Sequence, residues 1–165
     1  MNKFIGAAML ASAAMTGAAN AEVSANIALT TDYVFRGVSL SDNGPAVQGG
    51  FDWTSDSFYA GVWGSSLSNG VETDVYAGWT PQMGGPFSAD IGVIGYFYPG
   101  ANDDDAEFDY YELKASLDFA ASEQISFGGA VYWSPDNYGN TGDALYCEAN
   151  ATYTPNDMLE FTAAF

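Results

Sequence analysis

From position 23 onward, hydrophobic and polar residues alternate with a period of two, and the alternation restarts about nine times, each time after a turn-rich gap. In the first run Val23, Ala25, Ile27, Leu29, Tyr33 and Phe35 share one parity, while Ser24, Asn26, Thr30, Asp32 and Arg36 share the other. Successive side chains of a strand point to opposite faces, so each run has one apolar and one polar face. Further runs cover 47–54, 58–65, 71–80, 87–98, 110–119, 125–133, 144–153 and 159–165. Along 71–80, for instance, Val71, Thr73, Val75, Ala77 and Trp79 alternate with Glu72, Asp74, Tyr76 and Gly78. No stretch holds a sustained 3.6-residue apolar period, so essentially no helix is expected. The pattern predicts an all-β chain and, more narrowly, an antiparallel transmembrane β-barrel with about nine strands present. Ile27, Leu29, Val75, Ile91, Val93, Leu113 and Leu117 are expected to face lipid. A soluble sandwich or closed barrel with large residues facing a core gives the same alternation.

The gaps alternate as well. One set holds Ser41-Asp42-Asn43-Gly44-Pro45, 66–70, 99–107 and 134–143; the other holds Ser55-Asp56-Ser57, 81–86, 120–124 and 154–157. The first set is on the whole longer and richer in Asp, Asn and Gly. Outer-membrane barrels have short periplasmic turns and longer outside loops, so the first set is assigned outside. Tyr33, Phe35, Phe51, Trp53, Phe58, Trp79, Phe87, Phe97, Phe119 and Trp133 lie near run ends, as interfacial aromatic girdles require.

Residues 1–21 have the layout of a secretory signal: Lys3, a short apolar stretch over 4–14, and Ala19-Asn20-Ala21 as a cleavage site. That stretch is too short to cross a bilayer as a helix. The chain therefore divides into an export signal, 1–21, and an outer-membrane barrel, 22–165, which is expected to be incomplete. Without Lys3 the only bases are Arg36 and Lys114 against 21 acids, a net charge of −19. Nucleic acid is excluded as a partner, since phosphate binding needs clustered Lys and Arg, and docking on anionic lipid is disfavoured for the same reason. With 16% aromatic and 48% hydrophobic residues the chain is no disordered acidic tail. Apolar surface and charge must be separated in space, as a barrel with a polar lumen separates them. The single Cys147 forms no intrachain disulfide and shares the apolar parity of Leu145 and Ala149. The absence of histidine excludes His-based triads and His-ligated zinc.

The stretch Asp32-Tyr33-Val34-Phe35-Arg36-Gly37, followed by Pro45-Ala46-Val47-Gln48-Gly49-Gly50, resembles the opening of the TorF-type porin family of Gram-negative bacteria. The resemblance rests on D-Y-x-F-R-G with a downstream P-A-x-Q-G-G, so its motif residues are Asp32, Tyr33, Phe35, Arg36, Gly37, Pro45, Gln48, Gly49 and Gly50. It implies an outer-membrane barrel and a diffusion channel for small hydrophilic solutes, and names no solute. Members of the family are longer, with further strands after Phe165. An odd count of nine also departs from the even numbers of bacterial single-chain barrels. Either strands are missing, or the first and ninth pair in parallel, or the count is off by one. Against missing strands, Phe165 with Phe161 and Leu159 at alternate positions has the form of a C-terminal assembly signal.

The polar parity carries the candidate lining: Asp32, Asp52, Glu72, Asp74, Asp90, Glu112, Asp118, Glu148 and Glu160, with Arg36 and Lys114. A lining of one sign attracts counter-ions, so a cation-preferring pore is expected, with carboxylates facing water. Arg36 is expected to bridge Asp32 and a carboxylate of a neighbouring strand, in a network that either filters solutes or only fixes registry. Asp103, Asp104, Asp105 and Glu107 crowd one outside loop but lack calcium-loop spacing, so a solvated loop and no metal is the reading there. No constellation meets the test for an enzyme, and no cofactor is implied. A structural or adhesive surface barrel with a filled interior is the competing class, because eight-stranded barrels enclose little more than their own side chains. The partners implied are outer-membrane lipid and lipopolysaccharide, the barrel-assembly machinery and small hydrophilic solutes, with room for a homo-oligomer.

Overall fold

Local alternation sets where strands form. The computed structural model describes residues 9–16, 21–101, 108–156 and 158–165. Its strands are β1 Met9–Thr16, β2 Ala21–Thr30, β3 Val34–Phe35, β4 Val38–Ser39, β5 Ala46–Ser55, β6 Phe58–Ser66, β7 Val71–Trp79, β8 Phe87–Phe97, β9 Tyr110–Ala120, β10 Ile125–Ser134, β11 Ala144–Asn156 and β12 Leu159–Ala164. No described residue is helical. All strands except β3 and β4 join one ten-stranded sheet in the order β1-β2-β5-β6-β7-β8-β9-β10-β11-β12, every neighbouring pair antiparallel. Nine strands of this sheet correspond to the nine alternating runs. The tenth, β1, lies within the expected export signal and pairs with β2 from Met9↔Leu29 to Thr16↔Glu22.

Among the described residues no ladder joins β1 to β12, so the sheet is open where a closed barrel was one expectation. It is nonetheless strongly curled. Strands lie about 4.8 Å apart, so on a flat sheet the seven steps from β2 to β11 span about 34 Å. Arg36 follows the end of β2 by six residues, a reach of at most about 20 Å. Its guanidinium still lies 4.0 Å from the ring centroid of Tyr146 on β11. No arginine side chain makes up that shortfall on a flat sheet, so the sheet bends around its polar face.

Burial runs opposite to that of a soluble domain. On the convex face Ile27, Leu29, Val75, Ile91, Val93, Leu113 and Leu117 are all exposed, along with Phe51, Val62 and Phe127. The buried side chains lie on the concave face or beneath the loop that covers it: Glu72, Glu112, Ser65, Ser134, Tyr96, Tyr98 and Ala130. The meander places the connections after β2, β6, β8 and β10 at one rim and the on the whole shorter ones after β5, β7, β9 and β11 at the other. The rim with the longer connections is labelled outer and the other inner. Near the inner rim Pro155, which has no N–H to give, coincides with a break in the β11–β12 register between Tyr153 and Asn156.

One segment departs from the expected strands. Alternation carries the first run through Arg36, with Tyr33 and Phe35 on the apolar face and in the aromatic girdle. In the structure β2 stops at Thr30, and residues 31–45 fold over the concave face as a loop tipped by the β3–β4 hairpin. Tyr33 and Phe35 therefore point at the polar face. Arg36 and Gly37 form the hairpin turn with φ of 48° and 85°, the double positive φ of a type I′ turn. Arginine lacks glycine's freedom there and a residue in this region costs roughly 1–2 kcal/mol, so other contacts must hold the tip in place.

Candidate functional site

The concave face has two halves. The outer half is where the infolded hairpin docks. At its base Asp32 accepts hydrogen bonds from Ser39 Oγ at 2.6 Å and Ser41 Oγ at 3.0 Å, and Tyr33 and Leu40 close the hairpin through Leu40 N to Tyr33 O at 2.7 Å. Tyr33 Oη donates to Glu72 Oε1 of β7 at 2.5 Å, and its ring packs edge-on against Trp63 of β6 at 5.5 Å. Burial first, then the hydrogen bond and charge of Glu72, hold the Tyr33 phenol un-ionised well above its ordinary range. Phe35 lies against Tyr96 of β8 at 5.8 Å.

At the tip, Arg36 Nη1 and Nη2 donate to Glu112 Oε1 and Oε2 of β9 at 2.6 and 2.7 Å. This parallel two-bond geometry is the strong form of an arginine–carboxylate pair. Tyr96 Oη donates to the same carboxylate at 3.1 Å. Three rings surround the guanidinium: Tyr146 at 4.0 Å, Phe35 at 4.6 Å and Tyr132 at 4.9 Å. Burial pulls the guanidinium toward its neutral form, yet the hydrogen bonds and charge of Glu112 outweigh that and raise its pKa. Only 2% of Glu112 is exposed, so the pair sits where water screens it little.

The motif residues thus have separate physical tasks. Asp32 pins the base, Tyr33, Phe35 and Arg36 dock the hairpin, and Gly37 completes its turn. Pro45 precedes β5, where Gln48 Nε2 donates to Ser65 Oγ of β6 at 3.3 Å. A Cβ on Gly49 would lie 2.8 Å from the Asn26 carbonyl oxygen, and one on Gly50 would lie 2.7 Å from that of Val62.

The inner half is lined differently. Lys114 Nζ pairs with Asp90 Oδ2 at 2.7 Å, and Tyr59 Oη donates to Asp90 Oδ1 at 2.8 Å. Tyr76 Oη hydrogen-bonds Asp52; at the border with the outer half Tyr132, whose ring also flanks Arg36, donates its Oη to Glu148 Oε1 at 3.3 Å. These side chains lie along the sheet because glycines beside them leave room. A Cβ on Gly78 would come within 2.3 Å of the Tyr59 ring, and one on Gly61 within 2.5 Å of the Tyr76 ring. Likewise Asp118 and Asn150 lean over Gly128 from the two sides. Laid flat on the sheet, the Tyr59 and Tyr76 rings stay half-buried.

The structure brings most of the predicted lining residues onto one face, with three corrections. Asp32 and Arg36 belong to the infolded loop, not to a strand, and Arg36 pairs with Glu112 across the sheet while Asp32 is held by serines. Glu72 and Asp90 do not simply face water. Glu72 is 2% exposed under Tyr33, with Tyr98 beside it, and Asp90 is paired with Lys114. Asp74 beside Glu72 has a buried Oδ1 with no hydrogen-bond partner among the described residues. Glu160 is exposed on β12. Both bases are neutralised, which leaves seven of the nine carboxylates without a basic partner among the described residues. The aromatic cradle around Arg36 was not foreseen. The acidic-loop residues Asp103, Asp104, Asp105 and Glu107 lie outside the described residues, and no metal-binding group occurs among the described ones.

No curated protein and no solved structure matches the chain. A family model described as a bacterial protein of unknown function (Gcw_chp) matches residues 14–164, and the chain belongs to that family.

Proposed function

We propose that the chain forms an outer-membrane, porin-like channel for passive diffusion of small hydrophilic solutes, with a preference for cations. The observation that carries this reading is the inversion of the two faces. Apolar and aromatic side chains cover the convex face of nine strands, and none of the described residues packs over them, while carboxylates and tyrosines fill the concave face. Contiguous apolar patches on soluble monomers rarely exceed a few hundred Å², and hydrocarbon is the solvent that makes such a face favourable. On this reading residues 1–21 are a cleaved export signal and the barrel-assembly machinery inserts the chain. The likeness of its opening motif to the TorF-type porins agrees with it. In hydrocarbon the two sheet edges must be paired, since unpaired backbone groups there cost several kcal/mol each. Closure of the sheet in the membrane is part of the proposal.

The sign of the lining follows from the carboxylates left without a basic partner, of which Asp52, Asp118 and Glu148 stay open on the concave face. In planar bilayers under a salt gradient the full-length protein should pass cations over anions. The preference should weaken as the Debye length falls from about 10 Å at 0.1 M to about 3 Å at 1 M salt. An anion-selective pore would contradict the lining. One observation favours a second reading, a surface barrel with a closed interior: Glu72, Glu112 and Ser134 are almost fully buried and the infolded loop fills the outer half. Properly inserted protein without conductance would establish that reading instead.

A further inference from the structure

We propose that the β3–β4 hairpin is a fixed constriction built across the outer half of the polar interior, that Arg36 latches it, and that this latch sets the size limit for what passes. The proposal deepens the channel reading and rests on it. A loop lying loosely over the concave face would show few directed contacts. This one is tied at its base by Asp32 to Ser39 and Ser41, on one flank by Tyr33 to Glu72, and at its tip by Nη1 and Nη2 of Arg36 to Glu112.

The anchors lie on strands far apart in the sheet. Glu72 is on β7, Glu112 on β9, Tyr132 on β10 and Tyr146 on β11, while the hairpin itself leaves the sheet between β2 and β5. The hairpin is therefore a chord across the bend and not a flap along one wall. A further backbone tie, Ser68 N to Leu40 O at 2.9 Å, joins the loop to the outer turn between β6 and β7. The tip arginine has positive φ, which no turn propensity explains at a position where asparagine or glycine would serve. Its fork geometry and its fit among three rings explain it. A lysine there would keep the charge and lose the two-bond pairing.

Below the hairpin, Ser116 of β9 faces the same polar interior two rungs inward from Glu112 and opposite Asp90. It reports whether the way past the hairpin is open. The test uses full-length protein in planar bilayers and in vesicles, as wild type, Arg36→Ala and Glu112→Gln; the second variant removes only charge from the latch, should the first fail to insert. Replacing the latch should raise single-channel conductance at least about twofold and admit larger neutral polymers, since pore diameter governs both. In a Cys147→Ser background, Ser116→Cys should react with a bulky, charged thiol reagent added outside at least about tenfold faster once Arg36 is replaced. Equal labelling rates in inserted wild type and both variants overturn the proposal, whether or not the protein conducts. Faster labelling without conductance in any variant would retire the channel reading and keep the hairpin as the cover of the interior.

Discussion

The outer and inner halves of the concave face use the same residue types to opposite ends. In the outer half, carboxylate, arginine and aromatic side chains converge on an infolded hairpin until Glu72 and Glu112 are lost to solvent. In the inner half, carboxylate, lysine and tyrosine side chains lie flat over Gly61, Gly78, Gly92 and Gly128 and stay partly open. The two ion pairs state the contrast most simply. Arg36–Glu112 is two-pronged with its carboxylate 2% exposed, whereas Lys114–Asp90 is single-pronged with both side chains about one-fifth exposed. Glycine placement decides the difference. Where a neighbour lacks a Cβ the ring folds down; along Asp74, Tyr96 and Tyr110, whose cross-strand neighbours all carry side chains, a loop can dock on them.

Removing one partner from each pair gives the largest expected separation between the halves. Glu112→Ala leaves a guanidinium uncompensated among rings and should cost about 3–5 kcal/mol, measured by urea unfolding in detergent micelles. Lys114→Met leaves Asp90 partly solvated and still bonded by Tyr59, and should cost about 1 kcal/mol or less. Equal losses would erase the distinction between the halves. Next in size is the wall itself. Leu117→Arg, on the convex face near the middle of β9, should cost roughly 2–4 kcal/mol in a bilayer, against within about 0.5 kcal/mol for Ser116→Asn beside it. Equal tolerance at the two positions would show that the faces are misassigned. Smallest is the smooth lining of the inner half: Gly78→Ala drives a Cβ into the Tyr59 ring and should cost about 1–3 kcal/mol, with lower conductance as the ring swings off the wall. Unchanged conductance would mean that the inner half does not limit flow.

The nine main strands and their faces were legible because both follow from a period-two pattern that each strand carries by itself. Ile27, Val75, Ile91, Leu113 and Leu117 are exposed on one face as their parity required. The infolded loop was not legible for the same reason: Tyr33 and Phe35 keep the parity of Val23 to Leu29, so alternation alone extends β2 through them. The signal that a turn interrupts the run was Arg36-Gly37, a dipeptide outside the usual Asn-Gly and Asp-Gly hairpin turns. The partner of Arg36 lies 76 residues away on β9 and depends on how far the sheet bends, which no local pattern encodes. Burial of Glu72 follows from the docked loop and was hidden with it. Pairing of β1 with β2 went unforeseen because residues 9–16 were assigned to an export signal, a property that strand pairing does not test.

The two faces of one strand can be separated by a nitroxide scan along β9 from Tyr111 to Phe119 in the full-length protein reconstituted in lipid, with collision rates for oxygen and for a water-soluble nickel chelate. A two-residue alternation is expected: positions 111, 113, 115, 117 and 119 favour oxygen, and 112, 114, 116 and 118 favour the chelate, with 112 muted beneath the hairpin. Chelate access at both parities, or no alternation at all, would contradict a strand that separates lipid from a polar interior.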